Sequence, residues 1–250
     1  MEGSVKTSIE QGVGRISFSH PKSNSLPGLL LDQLAKAIAN FGADASVKVI
    51  LLLSEGDKTF CAGASFDELL SINDKEAGKN FFSGFAKVIL AMKACPKFII
   101  AKVQGKAIGG GVGIVAASDY SFALQSASVK LSELSIGIGP FVIGPAVERK
   151  IGLAAFSSLS INSSQWQSAQ WAFDKGLYSS IYESEEKLDE ELSALLKNLS
   201  ASSSEATKKI KQMLWEGTDH WTALLPERAA ISGELVLSEQ TKQILSQFKK

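Results

Sequence analysis

The 250-residue chain has two cysteines, two histidines, six prolines and no excess of charge, its 26 Lys and Arg balancing 26 Asp and Glu. Each scarcity removes a class of function. Cys61 and Cys95 form no CxxC pair and lie far in sequence from either histidine, so neither a disulfide framework nor a Cys/His metal site is expected, and both read as reduced and packed. His20 and His220 are isolated from any candidate nucleophile, which leaves Ser-His-Asp and Cys-His catalysis without support. His20, just before Pro21 in a polar loop, reads as a solvated or capping group. Balanced charge provides no global field for nucleic acid or an anionic membrane. The longest apolar runs, such as Val47 to Leu53, are too short to span a bilayer, and the first 19 residues lack a basic segment followed by an apolar one. A cytoplasmic protein is expected. HExxH, P-loop and EF-hand patterns are absent, and GIGPFVIG does not keep GxGxxG spacing, so no metal or nucleotide cofactor is expected.

What the chain does have is glycine in one conspicuous place. In KVQGKAIGGGVGIVAASDYSF, Lys102 to Phe122, an apolar strand runs into Gly109, Gly110 and Gly111 and then into a helix of small residues. Glycines allow a sharp turn and a close backbone approach, and the helix start offers unpaired N–H groups to an anion or a developing oxyanion. A turn needed only for close packing explains the same glycines.

Hydrophobic periodicity supplies the rest of the layout. Residues 5–19 read as a strand pair turning at GVGR, Gly12 to Arg15. Helices are expected at about 27–42 and 75–94, with a strand at Val47 to Leu53 buried on both faces between them. TFCAGAS reads as a small-residue loop opening into a short helix, and KFIIAKVQG as the next buried strand, followed by a helix at 110–118 and short strands YSFAL and SVKLS. From about Gly139 strands should stop. Short helices are expected at VIGPAVERKIG, LAAFSSLSI and SSQWQSAQWAFDKGL, a longer one from Ser184 to Leu199, and a last helical segment at about 221–248. Trp166, Trp171, Trp215 and Trp221 need a surface to pack on, either a partner subunit or the chain's own sheet. Lys208, Lys209 and Lys211 read as a solvated helix face.

Two small-residue loops, FCAGAS (Phe60 to Ser65) and IGGGVG (Ile108 to Gly113), each follow a buried strand. Ligands collect at the carboxyl ends of strands in open α/β sheets, and one N–H from each loop can converge on a carbonyl oxygen. The acid/base candidate is Glu133, a lone carboxylate in the apolar run KLSELSIGIG. Burial there would raise its pKa toward neutrality. A helix cap or surface charge is the plainer alternative.

Together, PKSNSL, FCAGASFDEL, KVQGKAIGGGVGIVAASDYSFA and LSELSIGIGP resemble, in order and spacing, the signature blocks of the enoyl-CoA hydratase/isomerase, or crotonase, family. The resemblance covers about the first 150 residues. It implies an α/β spiral of ββα units over residues 1–195, a C-terminal helical trimerisation region over 196–250, and homotrimers or pairs of trimers. By position, Ala64 and Gly110 would supply the oxyanion N–H groups and Glu133 the acid/base. Pro21, Lys22, Asn24, Ala62, Gly63, Phe66, Gly109, Gly113 and Phe141 would line the acyl-CoA site. Coenzyme A enters as part of the substrate, and no separate cofactor is implied. Typical hydratases of the family place a second glutamate where this chain has Gly113, and an aspartate where it has Ser65. Those departures resemble the single-glutamate, 3-methylglutaconyl-CoA hydratase-like branch. They leave three expectations: hydration of a 2-enoyl-CoA, Δ3-Δ2 isomerisation, or acyl-CoA or partner binding without catalysis on the same fold.

Overall fold

The computed structural model describes residues 3–247; residue 248, at the end of the last expected helical segment, lies outside the described residues. The chain opens with the antiparallel strands β1 (Ser4–Glu10) and β2 (Val13–Ser19). They turn at Gln11 and Gly12, not over Gly12 to Arg15. Both turn residues have positive φ, 48° and 82°, as the hairpin twist demands, and Arg15 lies within the strand opposite Ser8. Helix α1 (Gly28–Ala43) follows, its buried face formed by Leu30, Leu31, Leu34, Ala37, Ile38 and Phe41 at helical spacing.

Next come β3 (Val49–Ser54), β4 (Thr59–Cys61), α2 (Phe66–Ser71) and α3 (Lys75–Ala94), then β5 (Ile99–Val103), β6 (Lys106–Ile108) and α4 (Gly110–Ala117). The third passage is β7 (Tyr120–Leu124), β8 (Ser128–Lys130), a single 3-10 turn at Leu134–Ile136 and α5 (Gly144–Ile161). In each passage the first strand joins a six-stranded sheet and the second a four-stranded one. The larger has the order β1, β2, β3, β5, β7, with β10 (Ser180–Tyr182) at its edge, and is parallel from β2 onward. The smaller runs β4, β6, β8 and β9 (Gln167–Ser168), with only β8 and β9 antiparallel. This is the ββα order the resemblance implies, and the architecture is mixed α/β. Gly105, between β5 and β6, makes the change of sheet possible: a Cβ there would lie 2.3 Å from the Lys58 carbonyl oxygen.

β3 is buried on both faces as its apolar run predicts. Ile50 and Leu52 enter the main core with α1 and α3, whereas Val49 and Leu51 pack under α7 (Glu185–Ser200) through Leu188, Leu192 and Leu196. Full burial of each such side chain contributes roughly 1.5–3 kcal/mol.

Strands do not stop at Gly139. β9 and β10 are too short, two and three residues, to show a period in sequence. β4 and β6, read as loop and turn, escape for the same reason. The two short helices expected between 142 and 161 are the halves of α5, broken at Gly152, where φ is 76° and ψ 158°. α6 (Ala169–Asp174) follows β9, and α7 is capped by Ser184.

The C-terminal helices α8 (Ser204–Leu214), α9 (Trp221–Leu235) and α10 (Glu239–Ser246) fold back on the chain's own sheets and helices. Trp215 and Trp221 are buried in the main core, edge to face at 5.7 Å. Trp166 is instead exposed at the surface, with the ammonium groups of Lys106 and Lys130 over its ring. α9 lies against α3 with glycine at the contact, because a Cβ on Gly78 would fall 2.7 Å from the Cα of Gly233. Lys211, read as solvated, is 2% exposed and reaches Asp119 at 2.9 Å. Among the described residues no helix is long and apolar enough to cross a membrane.

Candidate active site

A cavity of about 390 Å³ opens where the two small-residue loops meet α3, the 3-10 turn and α9. Its first wall begins at residues 20–26. Ser23 and Asn24 take consecutive left-handed conformations, φ 53° and 54°. The Asn24 amide pins them by donating to the carbonyls of Glu55 (2.7 Å) and Thr59 (2.8 Å), while its oxygen accepts from the His20 N–H (3.0 Å). His20 Nδ1 lies 3.0 Å from Ser25 Oγ, so His20 braces this loop from within. The loop is clipped onto the chain after β4: Ala62 N–H donates to Ser23, Leu26 N–H to Gly63, and Ser65 N–H to Leu26. That parallel bridge uses the Gly63 carbonyl and the Ser65 N–H, the Gly63 N–H goes to Cys61 Sγ at 3.4 Å, and the Ala64 N–H is left unused.

The second loop brings Gly110. Gly109, at φ 52° and ψ −117°, turns the chain from β6 into α4, and Gly110 is the helix's first residue. A Cβ on Gly63 would stand 3.5 Å from the Gly110 nitrogen, so the two loops touch. Neither the Ala64 nor the Gly110 N–H donates to another described residue, and both residues line the cavity. Partial positive charge at the start of α4 adds to theirs. The glycine run is close-packed as well: a Cβ on Gly110 would lie 2.2 Å from the Phe85 ring, and one on Gly111 2.6 Å from the Cys61 carbonyl oxygen.

Glu133 stands at the start of the 3-10 turn. Its carbonyl accepts from Ile136 and Ile138, and its side chain lines the cavity. The Oε2 atom is buried without a hydrogen-bond partner among the described residues. Oε1 passes so close to Gly109 that a Cβ there would be 2.7 Å away. Burial pushes the carboxyl up from 4.5 to about 7, with its own backbone N–H pulling the other way.

Of the residues expected at the site, Ala64, Gly110, Glu133, Lys22, Ala62, Gly63, Phe66, Gly109 and Phe141 line the cavity. Pro21, Asn24 and Gly113 do not. Pro21 is exposed on the outer side of its loop and Asn24 acts from beneath it. Gly113 lies in the buried helix α4 beneath Ile143: a Cβ there would sit 2.5 Å from Ile143 Cγ2 and 2.7 Å from its Cβ. Ile143 itself lines the cavity, occupying the space a side chain at 113 would need. Ser65, where an aspartate was expected from the family pattern, caps α2, its Oγ accepting from Glu68 N–H at 3.4 Å.

Sequence reasoning missed much of the apolar wall. Phe81, Phe82 and Phe85 lie on the helix expected at 75–94 and were given no part in the site, although three phenylalanines within five residues were a visible sign of an aromatic surface. Ser232 of α9 gave no sign at all. Lys22, 62% exposed and paired with Asp67, is the lone lysine among the lining residues. Among the described residues no three His, Cys, Asp or Glu side chains gather as a metal cluster.

The enoyl-CoA hydratase/isomerase family model matches residues 8–244, and the chain belongs to that family. A Bacillus subtilis protein named "Probable enoyl-CoA hydratase" is 27% identical over 246 residues, 98% of this chain and 95% of its own length. The mitochondrial methylglutaconyl-CoA hydratase of Rattus norvegicus is 34% identical over 167 residues, which cover 66% of this chain and 52% of that protein. The crystal structure of enoyl-CoA hydratase from Bacillus halodurans shares the fold at a TM-score of 0.89, with 24% identity over 97% of this chain and 99% of that one.

Proposed function

We propose that the protein adds water across the 2,3 double bond of a 2-enoyl-CoA thioester. The observation that carries this reading is the meeting of a desolvated carboxylate, whose Oε2 has no hydrogen-bond partner among the described residues, with two unspent backbone N–H groups in one largely apolar cavity. The thioester oxygen binds between the Ala64 and Gly110 N–H groups. The Glu133 carboxylate takes a proton from water as the water oxygen bonds to C3. The C2–C3 π pair moves toward the carbonyl, and the negative charge gathers on the oxygen that the two amides hold. C2 then takes the proton from Glu133, which returns to carboxylate with one water added overall. Removing one such oxyanion donor costs on the order of 10²–10³ in rate, and a carboxyl poised at about 7 is suited to both proton transfers.

The rat relative's name supports a branched, 3-methylglutaconyl-like substrate as one form of this reading; the carboxylate of such a chain would need a cation, and Lys22 is the lining residue that carries one. The burial of Gly113 under Ile143 supports a second reaction, isomerisation of a 3-enoyl thioester. There the one carboxylate removes a proton from C2 and returns it at C4, with no second carboxylate needed.

The test is absorbance of the conjugated enoyl thioester. Its loss with 2-enoyl-CoA substrates is expected. Its gain from 3-enoyl-CoA substrates would instead establish the isomerase, and silence with both would leave an acyl-CoA binder. Glu133→Gln should lower turnover by about a hundredfold or more while acyl-CoA still binds, and full activity in that variant would remove Glu133 from the reaction.

A further inference from the structure

Ser232 sets a hydroxyl on the side of the cavity that α2, α3 and α9 line with apolar residues. It is 1% exposed and lines the space, and its hydroxyl makes no hydrogen bond to another described residue. Two serines inside other helices return theirs to the preceding turn: Ser83 Oγ donates to the Lys79 carbonyl at 2.7 Å and Ser160 Oγ to that of Phe156 at 2.8 Å. A hydroxyl that opens only on such a cavity is satisfied by what the cavity holds, or it costs free energy.

Its place in the fold indicates what that is. Ser232 precedes Gly233, the residue at which α9 meets α3, and stands one helical turn before Val236. Val236 packs in a cluster with Leu69, Ile138, Phe81 and Phe82, four residues that also line the cavity. The hydroxyl therefore belongs to the apolar wall supplied by α2, α3 and α9.

We infer that Ser232 binds a neutral hydrogen-bonding group, a hydroxyl or carbonyl oxygen, carried along the acyl chain beyond the reacting carbons. This rests on the acyl-thioester reading of the cavity and specifies its substrate class. Ser232 is not placed to hold a carboxylate, because the one lysine among the lining residues, Lys22, comes from the loop at residues 20–26 and pairs with Asp67.

Saturated acyl-CoAs, which cannot react, isolate binding from chemistry. Butanoyl- to octanoyl-CoA and the same chains bearing a terminal hydroxyl are titrated calorimetrically into the wild type and Ser232→Ala. At one chain length the hydroxylated ligand should gain on its alkyl counterpart in the wild type, and Ser232→Ala should reduce that relative affinity by about fivefold, the worth of one hydrogen bond. Equal relative affinity in the two proteins, or rejection of the hydroxyl at every length by the wild type, overturns the inference alone. If no thioester binds the wild type, the acyl-CoA reading falls and this inference with it.

Discussion

Ile143 stands where a side chain at position 113 would have to go. The Cβ that any side chain at 113 requires would lie within 2.7 Å of two Ile143 carbons, and Ile143 is 4% exposed with little room to retreat. Gly113→Glu alone should therefore destabilise the protein by at least the roughly 1–3 kcal/mol of an overpacked core. Trimming the neighbour should return part of that loss, so Gly113→Glu combined with Ile143→Ala should cost less than the sum of the two single changes. Urea denaturation of the four proteins measures the coupling, and simple additivity would show that Ile143 does not guard the position. The absence of a second carboxylate was legible in the sequence, as was the convergence of two glycine-rich loops on Glu133. That isoleucine fills the vacancy was not, because residues 113 and 143 meet only through the packing of α4 against the chain that enters α5.

Elements with a long stripe, such as α1, α3 and α7, were legible because their apolar spacing reports one buried face and nothing else is needed. Of the strands of two or three residues, β8 was expected as SVKLS, whereas β4, β6, β9 and β10 carry no period and show only through their sheet partners. α8 failed for a different reason. A lysine on an amphipathic helix reads as solvated unless its partner is known, and the partner of Lys211 is Asp119, 92 positions earlier. Asp119 also accepts from the Ile99 N–H (2.7 Å) and the Trp215 indole (3.2 Å), and Lys211 donates to the Lys97 carbonyl at 2.8 Å. This network ties α8 to the entries of β5 and β7. Lys211→Ala leaves a buried carboxylate without its cation and should cost about 3–5 kcal/mol. Lys209→Ala, on the same helix but 73% exposed beside Glu205, should change stability by less than about 1 kcal/mol. Thermal or urea unfolding of the pair checks the contrast, and equal losses would mean that the network does not hold the helix.

For the molecule as a whole, the group proposed to give it activity should also lower its stability at neutral pH. Folding raises the Glu133 carboxyl from 4.5 to about 7, so the folded state holds a proton that the unfolded chain has released. Below pH 4.5 both states are protonated and burial of this group carries no penalty. As pH climbs from 4.5 to 7 the unfolded state loses its proton first, and stability falls. Above about 7 the penalty is complete, and a shift of 2.5 pH units corresponds to at most about 3 kcal/mol. Glu133→Gln keeps the side chain's shape and removes its charge. Its urea midpoint should exceed the wild type's at pH 8, with the gap shrinking steadily toward pH 4.5, while the same substitution abolishes proton transfer. A constant gap across that range would mean that the carboxylate is not desolvated by folding. A gap that opens with pH would show that the fold keeps a buried charge which stability alone disfavours and the proposed chemistry requires.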